Sequence, residues 1–213
     1  MLVSDHLSIA ALPMKSFSFA ATLLVLTLGA CATAPTQEMS DARFALRAAE
    51  EAGARTYTPE TLAAARGTIT NAERQLETGS FVDARNYAIQ ARETAMRARN
   101  MALALAEASD AVERASQLGV SWSPAAEALK KAREAASRND ELHTLTESAK
   151  AVELSELAIN QANLELAKRI LDGCQPGKYA ENIVLVERAR RALAEHQGKE
   201  ALTLAKRACG GSD

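Results

Sequence analysis

The chain has 213 residues, with 25 Lys and Arg against 27 Asp and Glu, for a formal net charge of −2. Its basic clusters, Lys130-Lys131-Arg133 and Arg188-Arg190-Arg191, are interleaved with Glu127, Glu134, Glu187 and Glu195. They read as solvated helix faces with local ion pairs, not as a nucleic-acid surface. Aromatic residues make up 4% of the chain, whereas Ala fills 41 of the 183 positions from Cys31 onward. Alanine is the best helix former and loses no side-chain entropy on ordering, so composition predicts an all-α protein with thin, closely packed helix contacts.

In chain order, the first feature is Met14–Cys31, MKSFSFAATLLVLTLGAC: one lysine, an uncharged run from Ser16 to Ala30, and small residues before a cysteine. These are the parts of a secretory signal, and translation from Met14 gives a compact one. The run of 15 residues falls short of the roughly 17–25 needed to span a bilayer. Its ending, Leu28-Gly29-Ala30-Cys31, resembles the lipobox of bacterial lipoproteins. The resemblance implies lipid attachment at Cys31, removal of residues 1–30, and permanent attachment by several acyl chains. Ala32 follows the cysteine, where an inner-membrane retention signal would typically place aspartate, so the resemblance implies the outer membrane facing the periplasm.

Residues 31–38 are short and polar and read as a tether. Met39, Ala42, Leu46, Ala49 and Gly53 then step by three and four, the mark of one helix face. Pro59 suits the first turn of a second helix carrying Leu62, Ala65, Ile69, Ala72 and Leu76. From Ala84 to Ser116 small residues keep a 4-3 alternation, predicting a long helix whose seam admits a close, coiled-coil-like neighbour from the same chain. Further helices are expected from Ala125 to Ala136, from about Leu142 to Leu171, and over 179–196 and 199–209 with Gly198 at the bend. The stripe Leu142, Leu145, Ala149, Val152, Ile159 is the expected buried face of the long later helix, with Ala151, Leu154 and Ala158 as a second. The expected architecture is an elongated array of antiparallel helical hairpins with Ala-rich seams, divided into 39–118 and 119–211.

The breaks carry similar text. Tyr57-Thr-Pro59 precedes Leu62 and Ala65-Arg66; Trp122-Ser-Pro124 precedes Leu129 and Ala132-Arg133; Tyr179 precedes Val186 and Ala189-Arg190. The Ala-Arg pairs lie 67 and 57 residues apart. This repetition predicts stacked hairpins, with Tyr57, Trp122 and Tyr179 each packing over the start of one.

Residues 40–99 resemble a domain-of-unknown-function family of helical bacterial envelope lipoproteins. The resemblance rests on Tyr57, Pro59, Leu62 and Ala65, followed by Gly79, Ala84, Ala88 and Ala91. Some members carry an additional peptidoglycan-binding domain of the outer-membrane-protein-A type, for which residues 100–213 offer no strand-rich segment. The Gly79-to-Ala91 spacing is also similar to half of a tetratricopeptide repeat, without that family's period. The family supplies location and fold, and no activity.

No metal-ligand spacing, phosphate loop or nucleophile elbow occurs, so the sequence predicts no catalytic residue, metal or cofactor, and no enzyme. Cys174 and Cys209 are a candidate disulfide in an oxidising periplasm. A hairpin bending near Gly198 would place Cys209 opposite residue 187, so free or intermolecular thiols remain the alternative. The expected function is a non-enzymatic scaffold or adaptor, lipid-anchored in the outer membrane, meeting an envelope protein or the cell wall. The alternative is a helical-repeat module that binds a peptide or an apolar ligand.

Overall fold

The computed structural model describes residues 33–119, 123–174 and 180–209. Eight helices occupy them: α1 (Thr36–Glu51), α2 (Ala54–Tyr57), α3 (Pro59–Glu77), α4 (Phe81–Gln117), α5 (Ser123–Ser137), α6 (Glu141–Asp172), α7 (Ala180–Ala194) and α8 (Gly198–Cys209). The protein is all-α.

Helix α1 begins inside the stretch that reads as a tether. Pro35 stands just before it and Glu38 lies in its first turn, where the positive end of the helix dipole favours a carboxylate. Arg85 Nε then donates to Glu38 Oε1 at 2.8 Å, pinning the start of α1 to α4. Three residues of the expected tether are therefore helical.

Helices α1, α4, α6 and α8 run parallel and are staggered along the array. Glu38 and Asp41 of α1 meet Arg85 and Arg92 in the first half of α4. Asn100 and Arg114, in its second half, meet Glu141 and Glu156 of α6. Asn160, further along α6, binds Gly198 at the start of α8. The remaining long helices α3, α5 and α7 run antiparallel to these. The result is three three-helix units in which α4 and α6 each serve two units.

Each unit has its own core. Met39, Leu46, Leu62 and Ile69 pack against the alanines of α4 from Ala88 to Ala102. Leu105 and Val112 pack with Leu129 of α5 and Ala151 of α6. Leu171 packs with Val186 of α7 and Leu204 of α8. The first hand-over falls within α4, between Ala102 and Leu105, so the core boundary runs through a continuous helix and not through the break at 119. Past that point α4 also buries Ala108, Ala111 and Ala115, a second face beside the expected seam, because it now has a neighbour on each side.

The same turn occurs three times. Ser80 N–H donates to the Gln75 carbonyl at 2.9 Å and Gly79 N–H to Leu76 at 3.0 Å. Asp140 and Asn139 repeat this onto Ala135 and Ala136, and Gln197 and His196 onto Ala192 and Leu193. This is the Schellman closure, which requires a left-handed residue just past the helix. Gly79 (φ 76°), Asn139 (φ 58°) and His196 (φ 58°) supply it. The last bend is therefore made by His196; Gly198 is the first residue of α8. It is small for another reason, since a Cβ there would overlap the Asn160 carbonyl oxygen.

Counted from these turns, the units lie 60 and 57 residues apart. Ala84, Thr144 and Ala201 are equivalent, as are Ala88, Ser148 and Ala205, and then Ala91, Ala151 and Ala208; all nine are buried. Ala132 thus matches Ala72, not Ala65, and the 67-residue register is corrected. The cause is length: α3 has 19 residues and α5 has 15, so text counted from the helix starts falls out of step.

The equivalence also overturns the expected buried face of α6. Leu142 is 72% exposed, and the residues facing the core are Thr144, Ser148, Ala151 and Ser155. Hydroxyls can be buried here because the helix carbonyls accept from them: Thr144 Oγ1 donates to Asp140 at 2.6 Å and Ser155 Oγ to Ala151 at 2.8 Å. Their small size preserves the close approach that alanine gives the other two units.

Candidate docking groove

Helix α1 buries Met39, Ala42, Leu46 and Ala49, and α3 covers that face. On the other side of the α1–α4 pair an open groove of about 730 Å³ remains. Ala45 and Ala48 of α1 and Ala52 just past its end line it, and Phe44, Met96 and Leu103 project into it. These three large side chains are 67%, 51% and 46% exposed. Met96 and Leu103 stand one heptad apart on α4, off the alanine seam, which puts both on the same uncovered ridge.

The charged residues of the groove are sorted by wall. Asp41 and Glu51 stand on α1, and Arg92 and Arg99 stand on α4. Arg92 reaches Asp41 only at 3.9 Å, and its Nε is buried with no hydrogen-bond partner among the described residues. The arrangement offers no nucleophile or general base with an orienting partner. It offers an apolar floor between an acidic and a basic wall, which is the chemistry of an interaction surface.

Elsewhere the charges fasten helices together. Glu38 is held below the usual carboxylate range by its own backbone N–H and by Arg85, against the opposing effect of desolvation. Glu50, which takes both Arg66 and Arg55, is lowered chiefly by Arg66. Asp140, at the head of α6, is lowered by the His143 backbone N–H first and by the His143 ring second. The basic cluster of α5 is paired locally, Lys131 with Glu127 and Lys130 with Glu134. Among the described residues no group of three or more His, Cys, Asp or Glu is placed to hold a metal ion, and no helix is long and apolar enough to cross a membrane.

Of the residues singled out in the sequence, Leu28, Gly29, Ala30, Cys31, Trp122 and Tyr179 lie outside the described residues. Tyr57 is half-buried and packs against both the first and the second core. A Cβ on Gly53 would come to 3.3 Å from its ring. Cys174 and Cys209 are joined, with Cα atoms 5.4 Å apart. The objection of reach fails because α8 lies beside α6 as well as α7. Gly198 abuts Asn160 and Asn163, and Cys209 lies as many residues after Gly198 as Cys174 lies after Asn163, along parallel paths. The groove itself was missed by periodicity, because its large residues fall off the 3-4 stripes. Phe44 carried the available signal: an aromatic out of phase in an Ala-rich helix.

No curated protein matches the chain, and no solved structure matches it. A family model does match, over residues 37–111, and that stretch holds every residue of the groove and the whole of the first core. Residues 37–111, the groove-bearing part of the chain, match the model of DUF4398, a domain of unknown function.

Proposed function

We propose that the protein is a bacterial outer-membrane lipoprotein whose helical array acts as a non-enzymatic scaffold or adaptor in the cell envelope. The observation that carries the reading is Leu28-Gly29-Ala30-Cys31 at the end of the uncharged run from Ser16. Helix α1 starts at Thr36, so a lipid on Cys31 would hold the array within a few residues of the membrane. Each buried methylene contributes about 0.8 kcal/mol, and more than one acyl chain makes attachment stable. The staggered units would then carry surface away from the bilayer, and the α1–α4 groove would meet an envelope partner.

Cys31→Ser should move the protein from the washed membrane fraction to the soluble fraction with its helicity unchanged. A Cys31→Ser variant that stays with membranes refutes the lipid anchor. A second reading, a module that holds a peptide or apolar ligand, draws on the exposed Phe44, Met96 and Leu103. Native mass spectrometry of the purified protein separates the two: a retained small molecule favours the module, and a co-purifying envelope protein favours the adaptor.

A further inference from the structure

We propose that the α1–α4 groove seats a second copy of this chain. The two copies meet face to face about a two-fold axis parallel to the groove, so that α1 of each lies over α4 of the other. The apolar contribution comes from Phe44, Met96 and Leu103, which are uncovered in the single chain. Exposed apolar side chains gathered in one groove mark an interaction site more often than chance exposure does.

The charges select the partner and the axis. A two-fold axis along the groove lays Asp41 and Glu51 of one copy over Arg92 and Arg99 of the other, and the reverse, so all four walls meet their opposites. An axis running across the groove would lay α1 on α1 and bring carboxylate onto carboxylate, which is repulsive. The groove is thus self-complementary in one of the two face-to-face arrangements, as a closed isologous dimer requires. Arg92 adds a local reason. Its Nη1 stands 3.9 Å from its own Asp41 and its side chain is 43% exposed, so the accessible part of the guanidinium can take the second copy's Asp41. The parallel axis also puts both N-termini at one end. Resting on the lipid-anchor reading, that lets both anchors enter the same membrane.

The test is sedimentation equilibrium of the full chain in a density-matched neutral detergent, from micromolar to hundreds of micromolar protein. The expected mass is that of two chains. Phe44→Glu should weaken association at least about tenfold, as expected for loss of a central aromatic anchor, with helicity unchanged because the side chain is exposed. Asp41→Arg with Glu51→Arg makes every wall basic, and Arg92→Glu with Arg99→Glu makes every wall acidic. Each should be monomeric alone, and the two mixed should restore a one-to-one dimer. A wild-type chain that stays monomeric throughout overturns the proposal. So does a dimer unaffected by Phe44→Glu, or a monomer that retains a peptide or lipid released by Phe44→Glu. Cys31→Ser should leave the mass unchanged whether or not it alters membrane fractionation, which keeps this proposal separable from the anchor.

Discussion

The first and third units share a turn and a seam, yet they are held differently. The first has α1 and α3 of 16 and 19 residues, a core with Met39, Leu46, Leu62 and Ile69, and ion pairs from Arg85 to Glu38 and from Arg43 to Glu73. The third closes with α7 and α8 of only 15 and 12 residues. An isolated helix below about 12–15 residues is marginal in water, and α8 has no further unit beyond it among the described residues. There the Cys174–Cys209 bond ties the end of α8 to the end of α6, and Asn160 holds its beginning by accepting from Gly198 N–H at 2.8 Å and donating to the His196 carbonyl at 3.0 Å. The comparison teaches that one seam geometry serves along the array, while the short terminal helix α8 is fastened at both ends.

Breaking the covalent end should have the largest effect. Cys174→Ser opens a crosslink between residues separated by 35 positions, worth about 3–4 kcal/mol in the chain-entropy account. The loss should be local. Hydrogen exchange should quicken over 180–209 and stay unchanged over α1 and α3, whereas uniform acceleration would show that the units unfold together.

The other fastening comes next. Gly198→Ala drives a Cβ into the Asn160 carbonyl and to within 2.6 Å of its Oδ1, and backbone cannot yield as a side-chain tip can. A cost of about 1–3 kcal/mol is expected, read as a lower urea midpoint with exchange again loosened in the third unit. Gly67 in α3 is the control, since a Cβ there meets nothing within 4 Å. Gly67→Ala should stabilise by about 0.4–1 kcal/mol. Equal responses at the two glycines would mean that the close approach of α8 to α6 carries no energy.

The contrast between units explains how much could be read from the sequence. The all-α class, the long α4 and its buried face from Ala84 to Ala102 were legible because alanine at 4-3 spacing marks burial and helix propensity together. The core face of α6 was legible only in part: Ala151 and Leu154 of the second expected stripe do pack in the second core, but the first stripe does not mark the contact. Leucines suggested a stripe through Leu142, and the contact belongs to Thr144, Ser148 and Ser155; the hydroxyls of Thr144 and Ser155 look polar until a helix carbonyl accepts from them. The last bend was misplaced because glycine is the usual left-handed residue, and His196 takes that role at some conformational cost. The groove depended on which side of α1 the covering helix would take, and that is settled by tertiary packing.

The middle unit sharpens the comparison at single-atom scale. Ser148 stands where the flanking units have Ala88 and Ala205, is 1% exposed, and its Oγ has no hydrogen-bond partner among the described residues. A buried hydroxyl without a partner costs about 1–3 kcal/mol. Ser148→Ala should therefore raise stability by about 1 kcal/mol or more, seen as a higher melting temperature. Ser155→Ala should do much less, because that hydroxyl is bonded to the Ala151 carbonyl at 2.8 Å. A destabilising Ser148→Ala would show that the middle seam needs its hydroxyl, so that the three seams are not interchangeable.

The smallest expected effect separates the three turns by pH. Asp140 caps α6 by accepting from His143 N–H at 3.1 Å, and its other oxygen meets His143 Nδ1 at 2.8 Å; Ser80, at the equivalent place, makes no side-chain cap. Because the folded carboxyl is held below its ordinary range, folding favours the ionised form. The stabilisation is complete above the unfolded carboxylate range and is lost as pH falls through the lowered folded value. Acid should accordingly speed amide exchange in the first turn of α6 relative to the first turn of α4. Asp140→Asn keeps an acceptor and removes the charge, so it should retain most of the cap and erase that relative pH step. If the step persists in Asp140→Asn, the Asp140 carboxylate is not its source; titration of Glu38, which holds Arg85 near the start of α4, would instead speed exchange in α4 and shrink the step.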